Sequence, residues 1–151
     1  MGLKFRIEVD VKPDEAFVYV ADLSKHGEWG NPSSALKVEK VTDGAPAAGS
    51  AFRSTQRFAG KAMTANLTIR DFEPGQRLSF AAVQGTAAKG QTFVHTFTFT
   101  PSGSGTLIER DIDRENASPL AVLGIVFYPA IKADAMKGLR GLKAKLESGS
   151  R

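Results

Sequence analysis

An apolar helical segment near the C-terminal end, from Pro119 to about Glu147, follows a run of alternating strands and constrains this chain more than any other feature. Between Leu120 and Ile131 it is apolar nearly all round, which predicts burial on more than one side. Beyond that the apolar residues narrow to a stripe of Met136, Leu139, Leu142 and Leu146. A helix that closes a β-rich domain has to bury its apolar face against the sheet. If the sheet curves around it, the two enclose a cavity. Ser118-Pro119 suits the helix start, a cap followed by Pro at the first position. Pro129 removes a backbone donor and is expected to kink the helix. Gly138 and Gly141 each cost about 1 kcal/mol relative to Ala, which close approach to the sheet or local flexibility would explain.

The rest of the chain reads as an antiparallel meander. Leu3, Phe5, Ile7, Val9 and Val11 alternate with Lys4, Arg6, Glu8, Asp10 and Lys12, a half-buried strand. Pro13, followed by Asp14 and Glu15, opens a short helix that buries Phe17, Val20 and Ala21. A second short helical segment, Ser24 to Glu28, ends at Gly30-Asn31-Pro32. Strands are expected over Leu36–Val41, Ser50–Phe58, Ala62–Phe72, Arg77–Val83, Thr92–Thr100 and Thr106–Arg114, joined by short turns rich in Gly, Pro and Ser.

With 151 residues and no internal repeat, one domain is expected over 1–148, with a short disordered tail at 149–151. The absence of Cys excludes disulfide and thiolate chemistry. Two His without a metal-ligand spacing give no metal site, and no phosphate-binding or dinucleotide fingerprint is present, so no cofactor is expected. The N-terminus lacks an apolar signal region and the run from Leu120 to Ile131 is too short to span a bilayer. A cytoplasmic protein, monomeric or homodimeric, is expected. The net charge of +4 gathers on the last helix at Lys132, Lys137, Arg140, Lys143 and Lys145, with Arg151 beyond. No aromatic residues interleave with these cations, so they read as a solvated face and not as a nucleic-acid site.

Strand parity sorts the polar residues, because alternate side chains point to opposite faces. His95 shares the parity of Phe93, Phe97 and Phe99, and Arg110 lies between the inward Ile108 and Ile112. Ser54 and Gln56 point inward with Phe52 and Phe58, whereas Glu109, Asp111 and Asp113 face out, where they can oppose Lys4 and Arg6. Met63, Ala65, Leu67, Ile69, Leu78, Phe80 and Ala82 complete a greasy interior. An inward Arg needs a partner, since an unpaired buried charge is costly. A ligand carboxylate or enolate, Asp134 of the last helix, or solvent at the sheet rim would each serve Arg110. His95 reads either as a hydrogen-bonded core histidine or as a catalyst. Trp29 reads as core or pocket wall with a partnered indole donor. Tyr19 and Tyr128 are further contributors from the helices, and His26, in a polar turn, is expected to be exposed.

The order of elements resembles the helix-grip fold of the START-like (SRPBCC) superfamily, α+β in class, with about seven curved antiparallel strands around a long C-terminal helix. Within it the chain is most similar to the polyketide cyclase/dehydrase and lipid-transport family. The residues that carry this are Ile7-Glu8-Val9, Pro13-Asp14-Glu15-Ala16-Phe17, Asp22-Leu23 with Trp29 and Pro32, Gly49-Ser50-Ala51-Phe52, Asp71-Phe72-Glu73-Pro74-Gly75 and the Leu139–Glu147 segment. The superfamily holds carriers, cyclases and hydrolases, so the resemblance implies a fold more than an activity.

Three readings of function follow. In the first, the protein is a carrier or sensor of a small hydrophobic molecule with an acidic or carbonyl group. Its site would comprise Trp29, Ser54, Gln56, Met63, Phe80, Phe93, His95, Phe97, Arg110, Phe127 and Tyr128, with Arg110 and Gln56 fixing the polar end. The second is a cyclase or dehydratase with His95 as general acid/base and Arg110 as enolate stabiliser. In the third, the basic helix serves a protein-interaction module.

Overall fold

The computed structural model describes residues 3–30, 35–58, 61–84, 91–114 and 128–149. Strand β1 (Leu3–Val9) leads into helix α1 (Pro13–Ala21), a 3₁₀ turn (Leu23–Lys25) and helix α2 (His26–Trp29). Strands β2 (Lys37–Lys40), β3 (Ala51–Phe58), β4 (Lys61–Glu73), β5 (Arg77–Gln84), β6 (Gln91–Ser102) and β7 (Gly105–Arg114) follow, and then helix α3 (Tyr128–Gly149). The expected helix start at Ser118–Pro119, the apolar run up to residue 127 and Phe127 itself lie outside the described residues. So does the turn before Pro129 against which a kink would be measured.

The seven strands form one sheet in the order β1-β7-β6-β5-β4-β3-β2, and every neighbouring pair is antiparallel. Strands β2 to β7 are a meander, and β1 is added to its β7 edge. With the short helices after β1 and a long helix at the end, this is the α+β architecture that the patterning predicts. The β6–β7 turn is tight enough to hold Gly103 at φ +57°, a conformation that costs glycine nothing and other residues a clash. Lys4 stands opposite Asp111 and Arg6 opposite Glu109, the expected match of charge across the β1–β7 edge.

One face of the sheet carries the core. Phe5, Phe52, Leu67, Ile69, Leu78, Phe80, Phe97, Phe99 and Ile108 are buried along the strands, as alternation requires. A register shift between Ile69 and Phe72 bends β4 and brings both side chains to the core side. Pro13 opens α1 with Asp14 and Glu15 in its first turn, and Phe17 meets Phe72 and Phe99 edge to face at 5.1 and 5.5 Å. The side chain of Asp22 caps the 3₁₀ turn that follows by accepting from the Ser24 backbone N–H at 3.1 Å. Helix α3 buries Ala135, Leu139, Leu142 and Leu146, while Met136 is only half-buried. The stripe is therefore centred one residue from where the larger side chains suggest.

Helix α3 packs chiefly on β1 and α2. Near its end Lys143 donates to the Glu8 carbonyl at 2.9 Å, and Glu147 accepts from the Asp10 backbone N–H at 2.9 Å. Lys143 also bonds Glu147 at 2.7 Å, one helical turn on. The expectation of a solvated basic face therefore holds for Lys132, Lys137, Arg140 and Lys145, but Lys143 is a docking residue.

Candidate functional site

The residues of interest come from three places. Phe80, Phe97 and Arg110 come from neighbouring strands, His26 and Trp29 from α2, and Asp134 and Gly138 from α3. In α2, His26 and Trp29 are three apart and so share a face, with ring centroids 4.7 Å apart. Gly141 lets the long helix close over them. A Cβ there would stand 2.3 Å from the Trp29 carbonyl oxygen, so only glycine permits the approach. The close contact is thus with α2, not with the sheet.

Together these residues wall a cleft of about 70 Å³, lined by His26, Trp29, Gly30, Leu36, Gln56, Arg110, Asp134 and Gly138. A larger groove of about 520 Å³ lies elsewhere, along Lys12, Pro13, Asp14, Pro74 and Gln76, but it is open, and no buried polar side chain is among the described residues that line it. The smaller one is walled by buried polar atoms of Trp29 and Arg110.

Arg110 is inward, as parity predicts, because neither the β5–β6 nor the β6–β7 register shifts along its length. Its Nη2 donates to Nδ1 of His95 at 3.0 Å. A guanidinium can only donate, so Nδ1 must be an acceptor, and His95 is neutral with its proton on Nε2. Burial first, and then the charge of Arg110, hold the His95 pKa well below 6.5. The His95 ring lies flat on Phe80 at 4.8 Å, and the guanidinium sits 5.4 Å from the Phe97 ring and 6.0 Å from the Trp29 ring. Burial pulls the Arg110 pKa down to about 10, against which the charge of Asp134 acts. Of the partners considered for Arg110, Asp134 is thus one that the fold supplies.

His26 corrects an expectation. It is 5% exposed and donates from Nε2 to the Val20 carbonyl at 2.7 Å, with its ring against Trp29, Phe80 and Phe97. A polar sequence neighbourhood concealed it, although the His26/Trp29 spacing on one helical face was a usable signal. Burial brings its pKa down to about 4, so it too is neutral. Trp29 departs from expectation as well. The residue is 3% exposed, and its indole Nε1 has no hydrogen-bond partner among the described residues. Nε of Arg110 is in the same condition.

The other candidates spread more widely. Gln56 walls the cleft, and Met63, half-buried, lies opposite it across the β3–β4 ladder. Ser54 is buried two pairs further along, opposite Ala65. Phe93 is half-buried and pairs with Ala82. His95 is not among the residues that line the cleft but holds Arg110 from the side. Tyr19 turns its hydroxyl to Glu28 at 2.8 Å. Tyr128 opens the described part of α3, and Phe127 lies outside the described residues. No cluster of three or more metal-ligating side chains occurs among the described residues, and no helix there is long and apolar enough to cross a membrane.

A sheet closed by a long helix is an architecture shared with several solved structures. Protein CV1439 from Chromobacterium violaceum matches with a TM-score of 0.72 at 14% identity, over 97% of this chain and 96% of that one. Ara h 8.0201 matches with a TM-score of 0.68 at 14% identity, over 98% of both chains. The di-domain ARO/CYC StfQ from the steffimycin biosynthetic pathway gives 0.69 at 22% identity, over 99% of this chain and 51% of StfQ. Identities this low speak for the helix-grip fold alone. A comparison with curated proteins finds no match. The sequence pattern goes further than the structural likeness, because the family described as polyketide cyclase / dehydrase and lipid transport matches residues 3–147. With nearly its whole length accounted for in this way, the chain belongs to the polyketide cyclase/dehydrase and lipid transport family.

Proposed function

We propose that the protein binds a small hydrophobic molecule whose polar end lodges against Arg110, and that it works as a carrier or sensor. The observation that carries this reading is the state of Arg110. It is a cation set against two aromatic faces at a cleft, and its hydrogen-bonded side-chain neighbour is a neutral imidazole. Apolar walls with a few placed polar groups suit a small ligand. The cleft of about 70 Å³ has room for a polar head group, since a water molecule takes about 30 Å³.

The state of His95 favours binding over acid/base catalysis. Its Nδ1 lone pair is taken by Arg110 and its Nε2 carries the proton, so no free lone pair is left to abstract a proton. The imidazolium needed for general-acid work is disfavoured by burial and by Arg110.

The test is a titration with 8-anilinonaphthalene-1-sulfonate, an aromatic anion, against the wild type, Arg110→Met and His95→Ala. Saturable binding that weakens roughly tenfold in Arg110→Met and changes only a few-fold in His95→Ala is the expected result. Equal binding by wild type and Arg110→Met would sink the proposal. If a substrate is found, a loss of roughly 10²–10⁴ in turnover for His95→Ala would move the assignment to the cyclase or dehydratase reading.

A further inference from the structure

We infer that the polar end of the ligand is a carboxylate, held by two donors, the Trp29 indole Nε1–H and the Arg110 guanidinium Nε–H. This rests on the binding reading above and names the chemistry of its polar end. Both atoms are buried and lack a hydrogen-bond partner among the described residues, and both residues wall the same cleft. Interiors rarely leave a buried donor unpaired, and two beside one cleft point to an acceptor that binds there.

The neighbours do not supply that acceptor. The Nε2–H of His26 goes to the Val20 carbonyl, and His95 accepts from a different nitrogen of Arg110. Gly30, Leu36 and Gly138 bring no polar side chain, and although Gln56 and Asp134 also line the cleft, neither accepts from the Trp29 Nε1–H or the Arg110 Nε–H. Among the described residues the site therefore keeps two buried donors without an acceptor, one of them on a cation. A carboxylate brings two acceptor oxygens and the matching charge. An alcohol brings one weak acceptor and no charge, and an ammonium group brings neither. Gly138 leaves the edge of the Trp29 ring accessible, since even a methyl there would come within 3.6 Å of Cζ3.

Trp29 is the only tryptophan of the chain, so the amide spectrum of the ¹⁵N-labelled protein has one indole N–H peak, and it reports on this site. The experiment titrates hexanoate and 1-hexanol into that sample, then repeats both titrations with Trp29→Phe and Arg110→Met. The expected result is a saturable downfield shift of the indole peak with hexanoate and not with 1-hexanol. Trp29→Phe should weaken hexanoate about tenfold, the loss of one charge-assisted hydrogen bond, and weaken 1-hexanol by less. Arg110→Met should remove the preference for hexanoate. If hexanoate binds in an Arg110-dependent way with the indole peak unmoved, the two-donor grip is overturned while the proposed function stands. Equal affinity for 1-hexanol overturns the carboxylate. Failure of both to bind overturns the inference, and the proposed function falls with it only if 8-anilinonaphthalene-1-sulfonate also fails to bind.

Discussion

His26 and His95 are held neutral by their surroundings, which makes the fold sensitive to acid. In the folded protein His26 titrates at about 4, below its ordinary 6.5, and His95 is also lowered. As pH falls, the unfolded chain therefore takes up these protons first. The stability that depends on the neutral rings is complete above about pH 6.5 and is lost as pH falls toward about 4. Within that window His26 steepens the loss by about 1 kcal/mol per pH unit, and His95 acts in the same direction. Urea unfolding at pH 7, 6 and 5 measures the slope. His26→Gln should flatten it, whatever it does to stability at pH 7, and an unchanged slope would show that His26 is not buried in its neutral form.

At the scale of elements, the contact that shapes the cleft is α3 against α2. Gly141 and Gly138 are one turn apart, and replacing each by Ala has opposite consequences. The added methyl at 141 meets the Trp29 backbone oxygen at 2.3 Å, so Gly141→Ala must push the helices apart. A loss of about 1–3 kcal/mol is expected in chemical denaturation. At 138 the methyl meets only the ring edge at 3.6 Å, so Gly138→Ala should gain up to about 1 kcal/mol from helix propensity. The same methyl narrows the cleft and should weaken ligand binding, which separates stability from function at one position. At the far end of α3, Glu147 takes both the Asp10 backbone N–H and Lys143. Glu147→Ala should cost about 1 kcal/mol, read from the urea midpoint.

At the scale of the whole molecule, one core joins the sheet, α1, α2 and the stripe of α3. Trp29 lies inside it, so its emission follows the closing of α3, while far-UV circular dichroism follows the sheet. The two urea transitions should coincide, as a cooperative single core requires. A fluorescence transition well below the circular-dichroism one would show that α3 and α2 detach before the sheet melts. The cleft lies where the sheet, α2 and α3 meet, so a ligand there should raise both midpoints together.

The strands, their inward faces and the closing helix were legible along the chain because each is a local periodicity. His95 and Arg110 point inward because the ladders of β5, β6 and β7 keep register, so a two-residue repeat is enough to orient them. The β4 register shift, which brings Phe72 to the core beside Ile69, breaks that repeat and is invisible to it. The state of the site was not legible. His26 is buried because Trp29, Phe80 and Phe97 meet around it, and Gly141 matters because α2 approaches α3 there. Lys143 docks on a carbonyl 135 positions away. Alternation alone thus determined which face of each strand is greasy and which polar residues share it. Tertiary structure decided which donors are satisfied, which charges are offset and how large the cleft is, because those depend on distances between segments that no local pattern encodes.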